Sequence, residues 1–258
     1  MNSKAQKLEA FSRLLDVMDD LREKCPWDMK QTNESLRHLT IEETYELSDA
    51  ILKNDATEIK KELGDVLLHL VFYARIGSEK NQFDIADVCN SLCDKLIYRH
   101  PHIYGNVKAD TAEQVKENWE QLKLKEGNKS VLSGVTKGTP SIVKALRMQE
   151  KAAQVGFDWP TPAEVWAKVD EELAELKEEF TENPSSEKTE KEFGDYLFSL
   201  INLARKYNIN PDDALEKTNQ KFIERFQYIE EKANGLNKQL TEMTLEEMDV
   251  FWNEAKKV

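Results

Sequence analysis

Apolar side chains recur along this chain at helical spacing. Leu8, Phe11, Leu14, Leu15, Met18 and Leu21 make the first stripe, with the three-to-four periodicity of a helix that buries one face. Comparable stripes run through residues 41–52, 59–76, 85–97, 142–155, 165–180, 193–207 and 214–229. No segment shows the strict alternation of a half-buried strand. Nine glycines and seven prolines in 258 residues supply few turns for an all-β fold. The pattern predicts an all-α protein. The stretch GNKSVLSGVTKGTPS, residues 127–141, interrupts the periodicity. It is expected to join two helical-bundle domains, 1–126 and 142–258.

The two halves repeat each other. IEETYEL in the first half, with Glu42, Glu43 and Glu46, matches DEELAEL in the second, with Glu171, Glu172 and Glu175. ELGD (Glu62, Asp65) matches EFGD (Glu192, Asp195), and DKLIYRH (Lys95, Arg99) matches QKFIERF (Lys221, Arg225). WEQLK (Trp119, Lys123) matches WNEAK (Trp252, Lys256). The blocks keep the same order and comparable gaps.

Charge narrows the function classes. Charged residues make up 33% of the chain and the net charge is −13, which disfavours attraction to a nucleic-acid backbone. A phosphate-bearing ligand remains open if cations bridge the charge. Cys25, Cys89 and Cys93 are odd in number and form no CxxC pair, so neither a disulfide framework nor a zinc site is expected; a reducing cytoplasm fits. No signal peptide or membrane span is expected from the apolar runs.

The repeated acids carry the chemistry. In KVDEELAELKEEF, residues 168–180, Val169, Leu173, Leu176 and Phe180 are expected to form an apolar face. Lys168, Glu172, Glu175 and Glu179 would form the stripe beside it. Each like-charge pair on an exposed helix costs only about 0.2–0.5 kcal/mol, so one acidic stripe alone would pass as a solvated surface. Glu192 and Asp195 share a face of the next helix, and the intervening TENPSSEK turn predicts an antiparallel hairpin. Glu172, Glu175, Glu192 and Asp195 would then converge. Four such oxygen donors without a thiolate suit Mg²⁺ or Mn²⁺. Gly64 and Gly194 recur within the ExxD blocks; as mid-helix glycines cost about 1 kcal/mol against alanine, a close approach to the backbone is expected there. A di-iron bundle would want Glu-x-x-His on two helices. His38, His69, His100 and His102 all fall in the first half, and none fits that position.

Lys221 and Arg225 share a helical face and would hold phosphate oxygens. Trp252 offers a stacking surface for a base. Together these parts describe a nucleotide polyphosphate site, without a P-loop GxxxxGK[ST].

These residues resemble the MazG family of nucleoside triphosphate pyrophosphohydrolases. The resemblance extends to LREKCPWDMKQTNESLRHLTIEETYEL, residues 21–47, and KALRMQEKAAQVGFDW, residues 144–159. It covers nearly the whole chain and matches the tandem-domain form within the all-α NTP pyrophosphatase superfamily. It implies Mg²⁺-dependent conversion of an NTP to NMP and pyrophosphate, in helical domains that form a homodimer. It implies Glu172, Glu175, Glu192 and Asp195 as metal ligands, with Lys168, Glu171, Lys221, Arg225 and Trp252 lining the nucleotide site. Glu171 or Glu175 would accept the proton of the attacking water. The first-half counterparts are Glu43, Glu46, Glu62 and Asp65, with Lys95, Arg99 and Trp119. Leu39 stands where the second half has Lys168, so the second half is expected to be the main active site. Two other readings stay open: a base-specific pyrophosphohydrolase of the same superfamily, such as a dUTPase-like enzyme, and a non-catalytic helical scaffold or regulator.

Overall fold

The computed structural model describes the chain except for residues 112, 113, 116, 117, 120, 121, 123–129, 183, 257 and 258. The described residues form helices and turns, with no strand among them. Contacts divide the chain into two compact units, Met1–Trp119 and Glu120–Val258. The expected joining stretch lies partly outside the described residues, and its last residue, Ser141, already opens a helix.

In the first unit, α1 (Lys4–Lys24) starts on a capping box between Ser3 and Gln6, which satisfies backbone N–H groups that the helix leaves orphaned. A 3-10 turn at Asp28–Lys30 leads to α2 (Asn33–Leu52), capped by Thr32. Asn54, with φ of 55°, takes the left-handed conformation that asparagine tolerates and reverses the chain into α3 (Ala56–Glu79). α2 and α3 pack along each other and α1 lies on α3. Their core is Met18, Leu36, Val71, Phe72 and Ile76. Arg22 Nε and Nη2 donate to Glu79 at 2.8 and 2.9 Å, and Nη1 donates to the Gln31 carbonyl at 3.1 Å. That side chain ties α1 both to α3 and to the entry of α2. α4 (Ile85–Arg99) and the single turn α5 (Pro101–Tyr104) follow. No side chain of α4 is buried.

The second unit contains α6 (Ser141–Gln154), α7 (Pro162–Glu182), α8 (Glu187–Lys206), α9 (Pro211–Gly235) and α10 (Leu245–Ala255). α7 and α8 form the expected hairpin, with α6 against α8 and α10 against α9. Val165, Val169 and Leu203 form its buried cluster, with Tyr196 and Leu200 packed around them.

The buried stripe of α7 differs from the expected one. Val165, Val169, Glu172, Leu176 and Glu179 are buried, whereas Phe180 is 47% exposed. The buried positions follow the alternating four-and-three spacing of a helix packed along one partner. Glu172 and Glu179 therefore occupy places that a plain hairpin would fill with leucine. The glycine expectation also changes. A Cβ added at Gly64 or Gly194 would meet nothing within 4 Å. Among the described residues, no backbone or side chain crowds either glycine; both leave open space.

Candidate metal and phosphate site

Each unit builds a carboxylate triad on its central hairpin. In the second unit, Glu172 of α7 and Glu192 and Asp195 of α8 bring one oxygen each to within 4.8 Å of one another. Glu172 and Glu192 are buried, while the Asp195 side chain is about half exposed, at 49%. In the first unit, Glu43 of α2 and Glu62 and Asp65 of α3 do the same within 4.8 Å. The i,i+3 spacing of each ExxD block presents both acids to the facing helix. The fourth expected acid of each set, Glu175 or Glu46, is exposed and lies outside its triad.

Burying like charges together is costly, and the two units offset it differently. In the second, Lys168 donates to Glu171 at 2.9 Å and approaches Glu172 at 2.7 Å. Hydrogen bonds to Glu171 and then Glu172 raise the Lys168 pKa and keep it protonated. Lys188 pairs with the buried Glu179, and its charge is also favoured by Glu192 and Glu182. Lys191 stands 3.9 Å from Asp195. The first unit has Leu39, Ala50 and Glu58 at the places of Lys168, Glu179 and Lys188. Among the described residues, the cation paired with this triad is Lys61, 2.8 Å from Glu62. Burial, then repulsion from Asp65, Glu46, Glu62 and Glu42, raises the Glu43 carboxyl above its ordinary value.

Below the first triad lies a polar network. Thr40 Oγ1 is 3.0 Å from His69 Nδ1 and 2.7 Å from the Tyr73 hydroxyl. Burial lowers the pKa of His69 against an opposing pull from Asp65, which favours the neutral ring. Val169, Ser199 and Leu203 replace these three residues in the second unit.

A divalent cation fits both triads. The donors are carboxylate oxygens, the set that hard cations take, and the nearby glycine leaves room. Glu62 Oε2 is buried without a hydrogen-bond partner among the described residues, although a buried charged oxygen ordinarily demands one.

The basic and aromatic candidates form a separate repeated arrangement. Arg225 lies over the Trp252 ring at 5.4 Å, and Phe222 tilts against the same ring at 5.2 Å. Arg99 lies over Trp119 at 5.8 Å, with His100 edge-on at 4.9 Å. Each tryptophan thus already carries a guanidinium on its face, a favourable cation–π contact. Lys221 and Lys95 are exposed. No hydrogen bond or ion pair joins Lys221 or Arg225 to the second triad among the described residues. Lys256 donates to Asn253 at 2.8 Å, and its repeat partner Lys123 lies outside the described residues.

Sequence reading passed over Lys188, Lys191 and the Thr40–His69–Tyr73 network. Lys188 carried a usable signal: it stands one turn before Glu192 on the same helix.

The fold and site define a class: an all-helical tandem protein with a carboxylate triad on each central hairpin. A model of the MazG nucleotide pyrophosphohydrolase domain matches residues 31–104 and 161–229, one segment per unit. The chain is 43% identical, over 95% of both sequences, to a Thermotoga maritima protein named nucleoside triphosphate pyrophosphohydrolase/pyrophosphatase MazG. It is 37% identical to the Escherichia coli nucleoside triphosphate pyrophosphohydrolase, covering 97% of this chain and 98% of that one. It is also 44% identical, over 95% of its length, to about half (51%) of the Bacillus subtilis protein YabN. The chain belongs to the MazG nucleotide pyrophosphohydrolase family, whose members are hydrolases of phosphoric anhydrides.

Proposed function

We propose that this protein hydrolyses nucleoside triphosphates, both ribo and deoxy, to the monophosphate and pyrophosphate, chiefly in its second unit. The observation that carries this reading is the Glu172–Glu192–Asp195 triad with Lys168 held on its rim. Glu172, Glu192 and Asp195 would hold Mg²⁺ or Mn²⁺, with Glu175 adding a fourth oxygen from one turn further along α7. Such an ion neutralises phosphate charge and acidifies a water molecule.

Lys168 turns from its carboxylates to the phosphates when substrate binds. That movement frees Glu171, which then accepts the proton of the water attacking the α-phosphorus. Lys168, Lys221 and Arg225 stabilise the charge that develops on the leaving pyrophosphate. Trp252 holds Arg225 in place and lines the nucleotide site. The first unit carries the weaker or structural site, through Glu43, Glu46, Glu62, Asp65, Lys95, Arg99 and Trp119.

Two copies associate as a homodimer. Leu63 and Leu67 on α3 and Phe193 and Leu197 on α8 leave exposed apolar side chains at matching positions of the two units, the kind of surface that marks an interface. No helix of the described residues is long and apolar enough to cross a membrane.

The test is product analysis with ATP, GTP, CTP, UTP and their deoxy forms, with Mg²⁺ and with EDTA. Pyrophosphate and monophosphate in equal amounts, only with the metal, are expected. Orthophosphate with nucleoside diphosphate would place the attack at the γ-phosphorus and sink the reading.

A further inference from the structure

The second unit holds a cavity that the carboxylate chemistry does not use. It has a volume of about 230 Å³ and is walled by Leu132, Met148, Ala152, Phe157, Trp159 and Phe198. Two amides, Gln149 and Asn202, also line it. Both residues are more than nine-tenths buried, at 7% and 4% exposure. Gln149 Nε2 donates to the Phe198 carbonyl at 2.8 Å, which fixes the orientation of the amide. Its Oε1 is buried and has no partner among the described residues. Asn202 Oδ1 accepts from Arg205 Nε at 2.9 Å, and its Nδ2 makes no hydrogen bond among the described residues.

An unpaired buried amide oxygen is destabilising, so Gln149 weakens the unit unless something completes it. The first unit shows that the hairpin does not require them. In the register set by ELGD and EFGD, Phe72 stands at the place of Asn202, and it is packed with Met18 in an apolar core. The aromatic wall is also held deliberately. Arg205 and Lys206 clamp Asp158, and Lys206 additionally donates to the Trp159 carbonyl. This pins the Phe157–Trp159 segment onto α8.

We propose that this cavity receives a nucleobase. Its edge would donate to Gln149 Oε1 and accept from Asn202 Nδ2, while Phe157 and Trp159 cover its faces. The volume suits one ring system rather than a larger ligand. Asn202 lies two turns beyond Asp195 on α8, about 10 Å along the axis, a span that a nucleoside can bridge. The base is therefore either the substrate's own or that of a second nucleoside. The choice of a nucleobase over other planar amides rests on the proposed nucleotide hydrolysis.

The probes are adenosine, guanosine, cytidine and uridine, observed by ligand NMR on the full chain with EDTA, so that metal-dependent binding does not contribute. At least one nucleoside should bind at millimolar concentration. Its affinity should fall about tenfold in Gln149→Met, the effect of one lost hydrogen bond in a dry site. It should also fall in Phe157→Ala, which alters a side chain that is 81% exposed and leaves the core alone. No binding by any of the four, or affinities unchanged in both variants, would overturn the inference. Competitive inhibition of NTP hydrolysis by the bound nucleoside assigns the ring to the substrate; noncompetitive inhibition or activation assigns it to a separate ligand. Nucleoside binding without NTP hydrolysis leaves this site standing and refutes the proposed function. Hydrolysis without nucleoside binding does the reverse.

Discussion

The two units carry the same three carboxylates on the same hairpin and surround them with different charges. The second sets Lys168 on Glu172, Lys188 on Glu179 and Lys191 near Asp195. The first has leucine, alanine and glutamate at the places of Lys168, Glu179 and Lys188, and its Glu43 is pushed toward protonation by burial and neighbouring acids. A triad serves phosphoryl chemistry only if cations also reach the substrate, because metal and lysine divide the charge of a polyphosphate between them. The second unit sets a lysine on the rim of its triad. The first has the triad over a part-buried Thr40–His69–Tyr73 network, with Lys61 on Glu62 as the cation at the triad among the described residues.

The hardest test of this asymmetry removes one acid from each triad. Glu172→Ala should lower Mg²⁺-dependent pyrophosphate release by at least about 100-fold, the scale expected when a main electrostatic contributor is lost. Glu43→Ala should leave most turnover intact. Steady-state kinetics on both variants decide it, and the opposite ranking would make the first unit the main site.

The Lys168–Leu39 difference gives a narrower comparison. Lys168→Leu should reduce kcat/KM by about 30-fold, the loss of one charge-assisted contact at a desolvated centre. The Leu39→Lys change in a Glu172→Ala background should raise the residual rate if the first unit lacks only its phosphate-reaching cation. No gain would mean that the missing Glu179–Lys188 pair, or the part-buried network, also separates the units.

Much of this contrast was legible in the sequence. The helical periodicity, the repeat and the convergence of Glu172 with Glu192 and Asp195 follow from spacing alone, because i,i+3 and i,i+4 positions must share a face. The placement of Lys168 opposite Leu39 was also readable. What spacing did not reveal was which stripe of α7 turns inward. Val165, Val169 and Leu176 compete with Leu173 and Phe180 for the core, and hydrophobicity favours neither set. The tie is broken at α8, whose Lys188 pairs with Glu179 and draws that stripe into the contact. Glu175 was expected in the cage because it repeats with Glu46; on the packed helix it is exposed beside the triad. The cavity around Gln149 and Asn202 lay outside reach for a different reason. Its amides come from α6 and α8, far apart in sequence, and neither belongs to a repeated block.

The smallest expected effect concerns the metal-free protein. The Glu43 carboxyl is raised above its ordinary value, first by burial and then by Asp65, Glu46, Glu62 and Glu42. A group whose folded pKa lies above its unfolded value, about 4.3 for glutamate, binds protons more tightly when folded. Its contribution to stability is complete below the unfolded pKa and is lost as pH rises through the higher folded one. With EDTA, Glu43→Gln should therefore raise the thermal midpoint of the first unit at neutral pH, by about 2 °C, and the gain should vanish near pH 4, where Glu43 is itself protonated. Mg²⁺ should reverse the comparison, since a bound cation stabilises the ionised wild-type carboxylate and has less to grip in the amide. Glu172→Gln should respond differently, because Lys168 stands 2.7 Å from that carboxylate and the substitution would strip a partner from a cation as well as relieving repulsion. Calorimetry of both variants between pH 4 and 8, with EDTA and with Mg²⁺, measures this directly. Equal midpoints for the two substitutions throughout would show that the lysines around the second triad do not change its electrostatics, and the distinction between the units would then rest on phosphate contacts alone.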